Sequence, residues 1–262
     1  HPEMTTTAIA EMVGKSRETV RDYFFRVYEG EVEKKVVDNS INARILVIPD
    51  QHSPYHHKNT LDFLEGIKNQ YNPTRIINCG DETDFQSLNF HGVNPDLMSS
   101  GSELDKAKEF LHDLHDIFPV MDLVESNHTS LAYRRAFKAG MSKKYLKSYQ
   151  DLFEVGDGWV WHDDLLIELP NKQNLYVCHG KSADGLKLSK NMACNVLQGH
   201  FHSKFAINYW SNPQQLYWSL QAGCLIDDKA MTFVYNKLTM DRPIIGAAMI
   251  VDSHPILIPM KL

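Results

Sequence analysis

The chain has 262 residues, 43% of them hydrophobic and 23% charged, with a net charge of −6. This is enough for one large globular domain, or one with a small appendage, and no apolar run approaches the roughly 20 residues that cross a bilayer, so a membrane partner is not expected. The acidic balance gives no overall pull toward nucleic acid, so any such contact must rest on a local basic patch.

In chain order, residues 4–33 differ from everything that follows. Thr6 or Thr7 can cap a short helix carrying Ile9 and Val13, Gly14-Lys15-Ser16 makes a turn, and Val20, Phe24 and Val27 recur at helical spacing on a second helix. The segment reads as a small N-terminal helical hairpin, similar to the two-helix core of a helix-turn-helix, with "SRETVRDYFFR" in the recognition position. A hairpin that packs on the main domain or on a second subunit fits the same pattern. A linker, "VEKKVVDNSINA", leads to the main domain, residues 44–262.

From Arg44 strand and helix alternate. Strand patterns at 44–50, 74–81 and 120–128 are separated by amphipathic helix patterns at 59–72 and 102–118, and a further helix follows at 131–140. This βαβαβ order predicts a parallel sheet with crossover helices. After Gly156 the chain becomes strand-rich: "WVWHDDLLIELP", "NLYVCHG", "CNVLQGHFHS", "KFAINYW", "QLYWSLQAGCLI" and "IIGAAMIVDSHPILIPM", interrupted by one helix near "SADGLKLSKNM". The four cysteines, Cys79, Cys178, Cys194 and Cys224, form no C-x-x-C pair, which predicts free thiols in a reducing, cytoplasmic setting.

In open parallel sheets, ligands gather beyond the carboxyl ends of the strands, and each strand here ends in metal-ligating chemistry. The first delivers Asp50 and His52, two apart and so on one side of an extended chain; the second delivers Asp81 and Asp84 in "GDETD"; the third delivers Asn127 and His128. Later strands deliver His179 in "CHG" and His200 with His202 in "GHFH". A lone histidine is usually a satisfied structural residue. Recurrence at successive strand ends points to a metal site.

This ordered set, D-x-H, G-D-x-x-D, N-H, H and G-H-x-H, resembles the calcineurin-like metallophosphoesterase superfamily over Arg44 to about Leu225. The resemblance implies an α/β fold, a four-layer α/β/β/α sandwich around a two-metal site. One divalent transition ion would take Asp50, His52, Asp81 and His202, and the other Asp81, Asn127, His179 and His200, with Asp81 bridging. His128 would be the catalytic non-ligand histidine and Asp84 the acid that orients it. The oxygen and nitrogen donors, with no thiolate, suit Mn²⁺ first, then Fe or Zn²⁺. Two aspartates return only part of the positive charge of two divalent ions, and the surplus would attract a phosphate oxyanion and help ionise water.

Departures from the family pattern bear on the substrate. Protein phosphatases of this superfamily carry Arg-Gly after G-D-x-x-D, where Phe85-Gln86 stand here, and the usual G-N-H-E/D is replaced by Ser126-Asn127-His128-Thr129. Directly after the N-H motif comes a basic run with Arg134, Arg135, Lys138, Lys143, Lys144 and Lys147 and no acid between, interleaved with Tyr133, Phe137, Tyr145 and Tyr149. A solvated helix face is the bland explanation; beside a catalytic loop in an acidic protein, the run fits a track for a phosphate backbone, with His91 as a further candidate contact. The expected function is hydrolysis of phosphodiesters in nucleic acid, ahead of small diesters such as nucleotides, then phosphomonoesters or phosphoproteins, and last a non-enzymatic DNA-binding regulator. The N-terminal addition would suit a phage-encoded enzyme acting in a bacterial host.

Overall fold

Strand β1 (Arg44–Ile48) buries both of its faces: Ile45 and Val47 enter one apolar cluster, Leu46 and Ile48 another. A strand with no wet face must lie between two layers, and the rest of the fold follows from that. The structure is a computed structural model that describes residues 39–90, 96–230 and 241–261; the hairpin expected over residues 4–33, and His91, lie outside the described residues.

Helix α1 (Thr60–Tyr71) carries the chain from β1 to β2 (Arg75–Asn78), and α2 (Ser100–Ile117) carries it to β3 (Met121–Val124). α3 (Leu131–Lys138) and α4 (Tyr149–Phe153) precede β4 (Trp159–His162). β1, β2, β3 and β4 pair in parallel, as the alternation of strand and helix predicts. Leu64 and Ile67 of α1 and Leu111 and Leu114 of α2 pack on this sheet's outer face with Leu46, Ile48 and Leu123.

The segment "WVWHDDLLIELP" is two strands in two sheets. The Asp163-Asp164 pair ends β4, and β5 (Leu165–Glu168) opens a second sheet with β6 (Asn174–Cys178), β7 (Asn195–Gln198), β8 (Phe205–Ser211) and β9 (Leu216–Ala222), in the order β5-β6-β7-β9-β8. The two sheets share one apolar layer, in which Ile45, Val47, Ile77 and Ile250 meet Leu175, Val177, Leu197 and Leu220. α5 (Gly185–Met192) closes the far face through Leu188 against Tyr176, Cys178 and Val196. Helices, sheet, sheet and helix make four layers.

The last stretch, "IIGAAMIVDSHPILIPM", is a hairpin of β10 (Gly246–Val251) and β11 (His254–Pro259) added antiparallel beside β1. Asp252 and Ser253 both have positive φ, the backbone that lets two residues join twisted antiparallel strands. Among the described residues no helix is long and apolar enough to cross a membrane. All four cysteines are free and buried.

Candidate metal centre

Register brings the strand ends together. Ile48 pairs with Asn78 across β1 and β2, so Asp50 and Asp81 leave the sheet side by side, and the N–H groups of Gln51 and His52 donate to the Asp81 carbonyl at 3.0 and 2.8 Å. In the second sheet Cys178 pairs with Gln198, which sets His179 beside Gly199 and His200. His52, Asp81 and His200 hold φ values of 50°, 50° and 71°, a left-handed region that side-chain-bearing residues seldom occupy and that clusters at functional sites. Close approach completes the fit: a Cβ on Gly199 would lie 2.4 Å from Asp50 Oδ1, and one on Gly180 would lie 2.5 Å from the His200 Cβ.

The histidine rings are aimed by their outer nitrogens. His52 Nδ1 lies 2.5 Å from Asp84 Oδ1, and His179 Nδ1 lies 2.9 Å from the Cys79 carbonyl oxygen. Each Nδ1 thereby faces an oxygen acceptor, the arrangement common behind metal-bound imidazoles, and Nε2 points inward. There it faces other potential ligand atoms. His52 Nε2 is 3.1 Å from His202 Nε2 and 3.4 Å from Asp81 Oδ2; His179 Nε2 is 2.7 Å from Asn127 Oδ1 and 3.1 Å from the same Asp81 oxygen. His202 Nε2 is also 3.1 Å from Asp50 Oδ2, whose companion Oδ1 is buried with no hydrogen-bond partner. Donors about 2.1 Å from a shared cation sit roughly 3.0–3.4 Å from one another, so these spacings fit cation sites. The sets Asp50–His52–His202 and Asp81–His179–His200 each converge on one place, and Asp81 Oδ2 faces both. Asp81 Oδ1 is already engaged, accepting from the His128 N–H at 3.0 Å.

His128 belongs to neither of these two sets but converges with His52 and Asp81, its ring centroid 4.6 Å from that of His52. Its Nδ1 is 2.7 Å from the Asp84 carbonyl oxygen and 3.2 Å from Asp84 Oδ1. Burial opposes its charge, yet the Asp81 carboxylate and the Asp84 contacts raise its pKa to about 10, so the ring is protonated at neutral pH. Burial likewise works against a charged Asp84 carboxyl, but hydrogen bonds from His128 and His52 and their charges hold it down to about 2. Asp84 therefore has two clients, and its shorter contact is with His52. His179 is also raised, to about 9, because Asp81 and then Asp50 outweigh its burial; His52 is lowered by burial and by its neighbour His128.

A cleft of about 620 Å³ opens beside this centre, lined by Asn127, His179 and His200 together with Glu125, Arg134 and Lys181. Of the basic run, Arg134 reaches this cleft, and Arg135 turns away to the carbonyl oxygens of Leu88 and Asn89. Lys143, Lys144 and Lys147 are exposed. Tyr133 and Tyr149 are core residues whose rings stack at 4.6 Å, whereas Phe137 and Tyr145 are exposed. Sequence reasoning missed Glu103, which is buried on α2 and accepts from the N–H groups of Gln86 and Ser87 at 2.8 and 3.1 Å, fixing the loop that follows Asp84. It also missed Glu125 and Lys181, although each lies two residues from a motif donor.

The fold is the one the resemblance to calcineurin-like metallophosphoesterases implies, and Asp50, His52, His202, Asp81, His179 and His200 converge as candidate cation ligands. No protein-family model matches the chain, and no curated protein matches it. Among solved structures it is similar to Vacuolar Protein Sorting 29 from Cryptosporidium parvum, at 12% identity and a TM-score of 0.42 over 79% of this chain and 83% of that one. It is similar to YfcE, a phosphoesterase from E. coli, at 12% identity and 0.38 over 79% and 87%. Vps29 from Chaetomium thermophilum follows at 11% identity and 0.37 over 80% and 81%. Likenesses of this size carry no argument about activity, which is read below from the chain's own residues.

Two outcomes are expected. A proton on His179 must leave before Nε2 can bind a cation, so metal affinity should rise with pH up to about 9, and neutral-pH binding should release protons. Calorimetric titration of Mn²⁺ in buffers of different ionisation enthalpy measures both; a pH-independent affinity without proton release would contradict the assignment of His179 as a ligand. Gly199→Ala should displace Asp50 and weaken metal binding while the chain still folds, as equilibrium dialysis and circular dichroism would report.

Proposed function

We propose that the chain is a two-metal phosphoesterase that hydrolyses phosphodiester bonds, with nucleic acid as its substrate. The observation that carries the reading is the single oxygen of Asp81 facing the inward nitrogens of both His52 and His179. One ion would be held by Asp50, His52, Asp81 and His202, the other by Asp81, Asn127, His179 and His200, with Mn²⁺ favoured over Fe or Zn²⁺ for this oxygen and nitrogen set. When bound, two such cations supply the positive charge that attracts a phosphate oxyanion and lowers the pKa of water from about 15.7 toward about 7.

The chain's own residues do the rest. Arg134, at the cleft wall, offers a guanidinium to the remaining phosphate oxygens. Water adds to phosphorus and releases a proton to solvent as the bond to the leaving oxygen breaks; that oxygen takes a proton from His128, which solvent then restores. Nδ1 is occupied by Asp84, so Nε2 is the atom that gives it. Asp84 fixes the ring and, after Asp81, helps keep it charged, and it braces His52 at the same time.

Support for a diester over a phosphoprotein substrate comes from Phe85. It lies in the core, stacked on Phe153 with ring centroids 6.1 Å apart, so that position brings no cation to the cleft. The basic run favours a polynucleotide. A second reading, a small diester such as a cyclic nucleotide, draws on the cleft's modest size and on its carboxylates Glu125, Asp163 and Asp164. The helix-turn-helix-like segment over residues 4–33 would add strand affinity, and the buried thiols suit a reducing cytoplasm, in a phage-infected host or elsewhere.

A panel with added Mn²⁺ tests the reading: nitrophenyl monoester, nitrophenyl diester, single-stranded and duplex DNA, and cyclic nucleotides. Diester cleavage should exceed monoester cleavage and stop with chelator; preference for the monoester would overturn it. His128→Ala should keep its metal yet lose about 10²–10⁴-fold in turnover on esters with poor leaving groups, and much less with nitrophenol, which departs without a proton. Equal losses on both would remove the proton-donor role.

A further inference from the structure

We infer that the segment from Arg134 to Lys147 is a stacking platform for single-stranded nucleic acid, in which the exposed rings of Phe137 and Tyr145 receive bases and the surrounding cations hold the phosphates. This rests on the phosphodiesterase reading above and specifies its substrate.

Large apolar side chains on an acidic protein's surface call for an explanation when several fall within one well-fastened segment. Here Tyr145 is 81% exposed, Phe137 48% and Met141 46%. The segment is pinned from below. Buried Tyr133 donates through its hydroxyl to the Lys147 carbonyl at 2.6 Å, the Met141 N–H donates to Ala136 O at 2.9 Å, and Ser142 and Ser148 cap the turns on either side of Tyr145. The rings are therefore held out by a built scaffold.

Charge selects the occupant. Six cations and no acid lie between Arg134 and Lys147 in sequence; Arg135 is engaged by the Leu88 and Asn89 carbonyls, and exposed Lys138, Lys143, Lys144 and Lys147 with Arg134 at the cleft remain, so two copies of this surface would repel, and a polyanion is what it complements. Continuity with the cleft selects it further: Arg134, the first cation of the segment, lines the cleft. Rings that project among cations stack on base faces, and those faces are open in a single strand and covered in a duplex.

The test uses the full chain, a fluorescein-labelled oligothymidylate, a labelled duplex and anionic vesicles, with anisotropy read in chelator so that no cleavage occurs. The oligothymidylate should bind more tightly than the duplex. Phe137→Ala and Tyr145→Ala should each weaken it by roughly five-fold or more, and Tyr145→Trp should keep it. Circular dichroism and the thermal midpoint establish that each variant folds. Equal affinity for duplex and single strand, insensitivity to both ring deletions, or binding to vesicles in preference to oligothymidylate would each overturn the platform. Wild-type hydrolysis of nitrophenyl diester in the Mn²⁺ panel, measured separately, shows whether the phosphodiesterase reading survives such a result.

Discussion

Three carboxylates, those of Asp50, Asp81 and Asp84, are packed together at the sheet ends with 1% exposure or less. Buried charge of one sign is costly unless cations offset it, and among the described residues imidazoles are the groups that contact these carboxylates. Protons on His128 and His179 meet part of the demand, which is why both rings are pushed to higher pKa against their burial. Metal cations would meet it more fully, because the inward lone pairs of His52, His202, His179 and Asn127 then become ligands. The left-handed turns at His52, Asp81 and His200 and the absent side chains at Gly180 and Gly199 are the backbone's side of the same requirement.

The two-sheet architecture serves that requirement directly. Asp50, His52, Asp81 and Asn127 come from the ends of the first sheet's parallel strands, and His179, His200 and His202 from the second. The bond from the His200 N–H to Asp50 Oδ2, at 2.8 Å, ties the two halves of the donor set together. The apolar layer between the sheets, from Ile45 and Val47 to Leu197 and Leu220, fixes the distance across which they meet. Packing thus does the work of holding like charges near one another, and the free energy for it comes from the core.

Much of this was legible in the sequence because it is local. Short apolar runs alternating with helical patterns expose the parallel βαβαβ run from Arg44, and the D-x-H and G-H-x-H spacings place paired donors on one side of a strand end. What was not legible depends on pairing between distant segments. Nothing in "WVWHDDLLIELP" says that Asp163 and Asp164 carry the chain from one sheet to the other, and nothing in the closing hairpin says that it returns to flank β1. The role expected for Asp84, orienting His128, is only half of its geometry, since its shorter contact is with His52. Likewise the aromatic residues near the basic run look equivalent in the sequence, yet Tyr133 and Tyr149 stack in the core while Phe137 and Tyr145 face solvent.

The most direct measurement of the central claim is anomalous X-ray scattering from crystals of the Mn²⁺-loaded chain. The predicted result is two peaks about 3.5–4 Å apart, with Asp81 Oδ2 between them, His52 and His202 at one and His179 and Asn127 at the other. A single peak, or two peaks of which one does not touch Asp81, would contradict it.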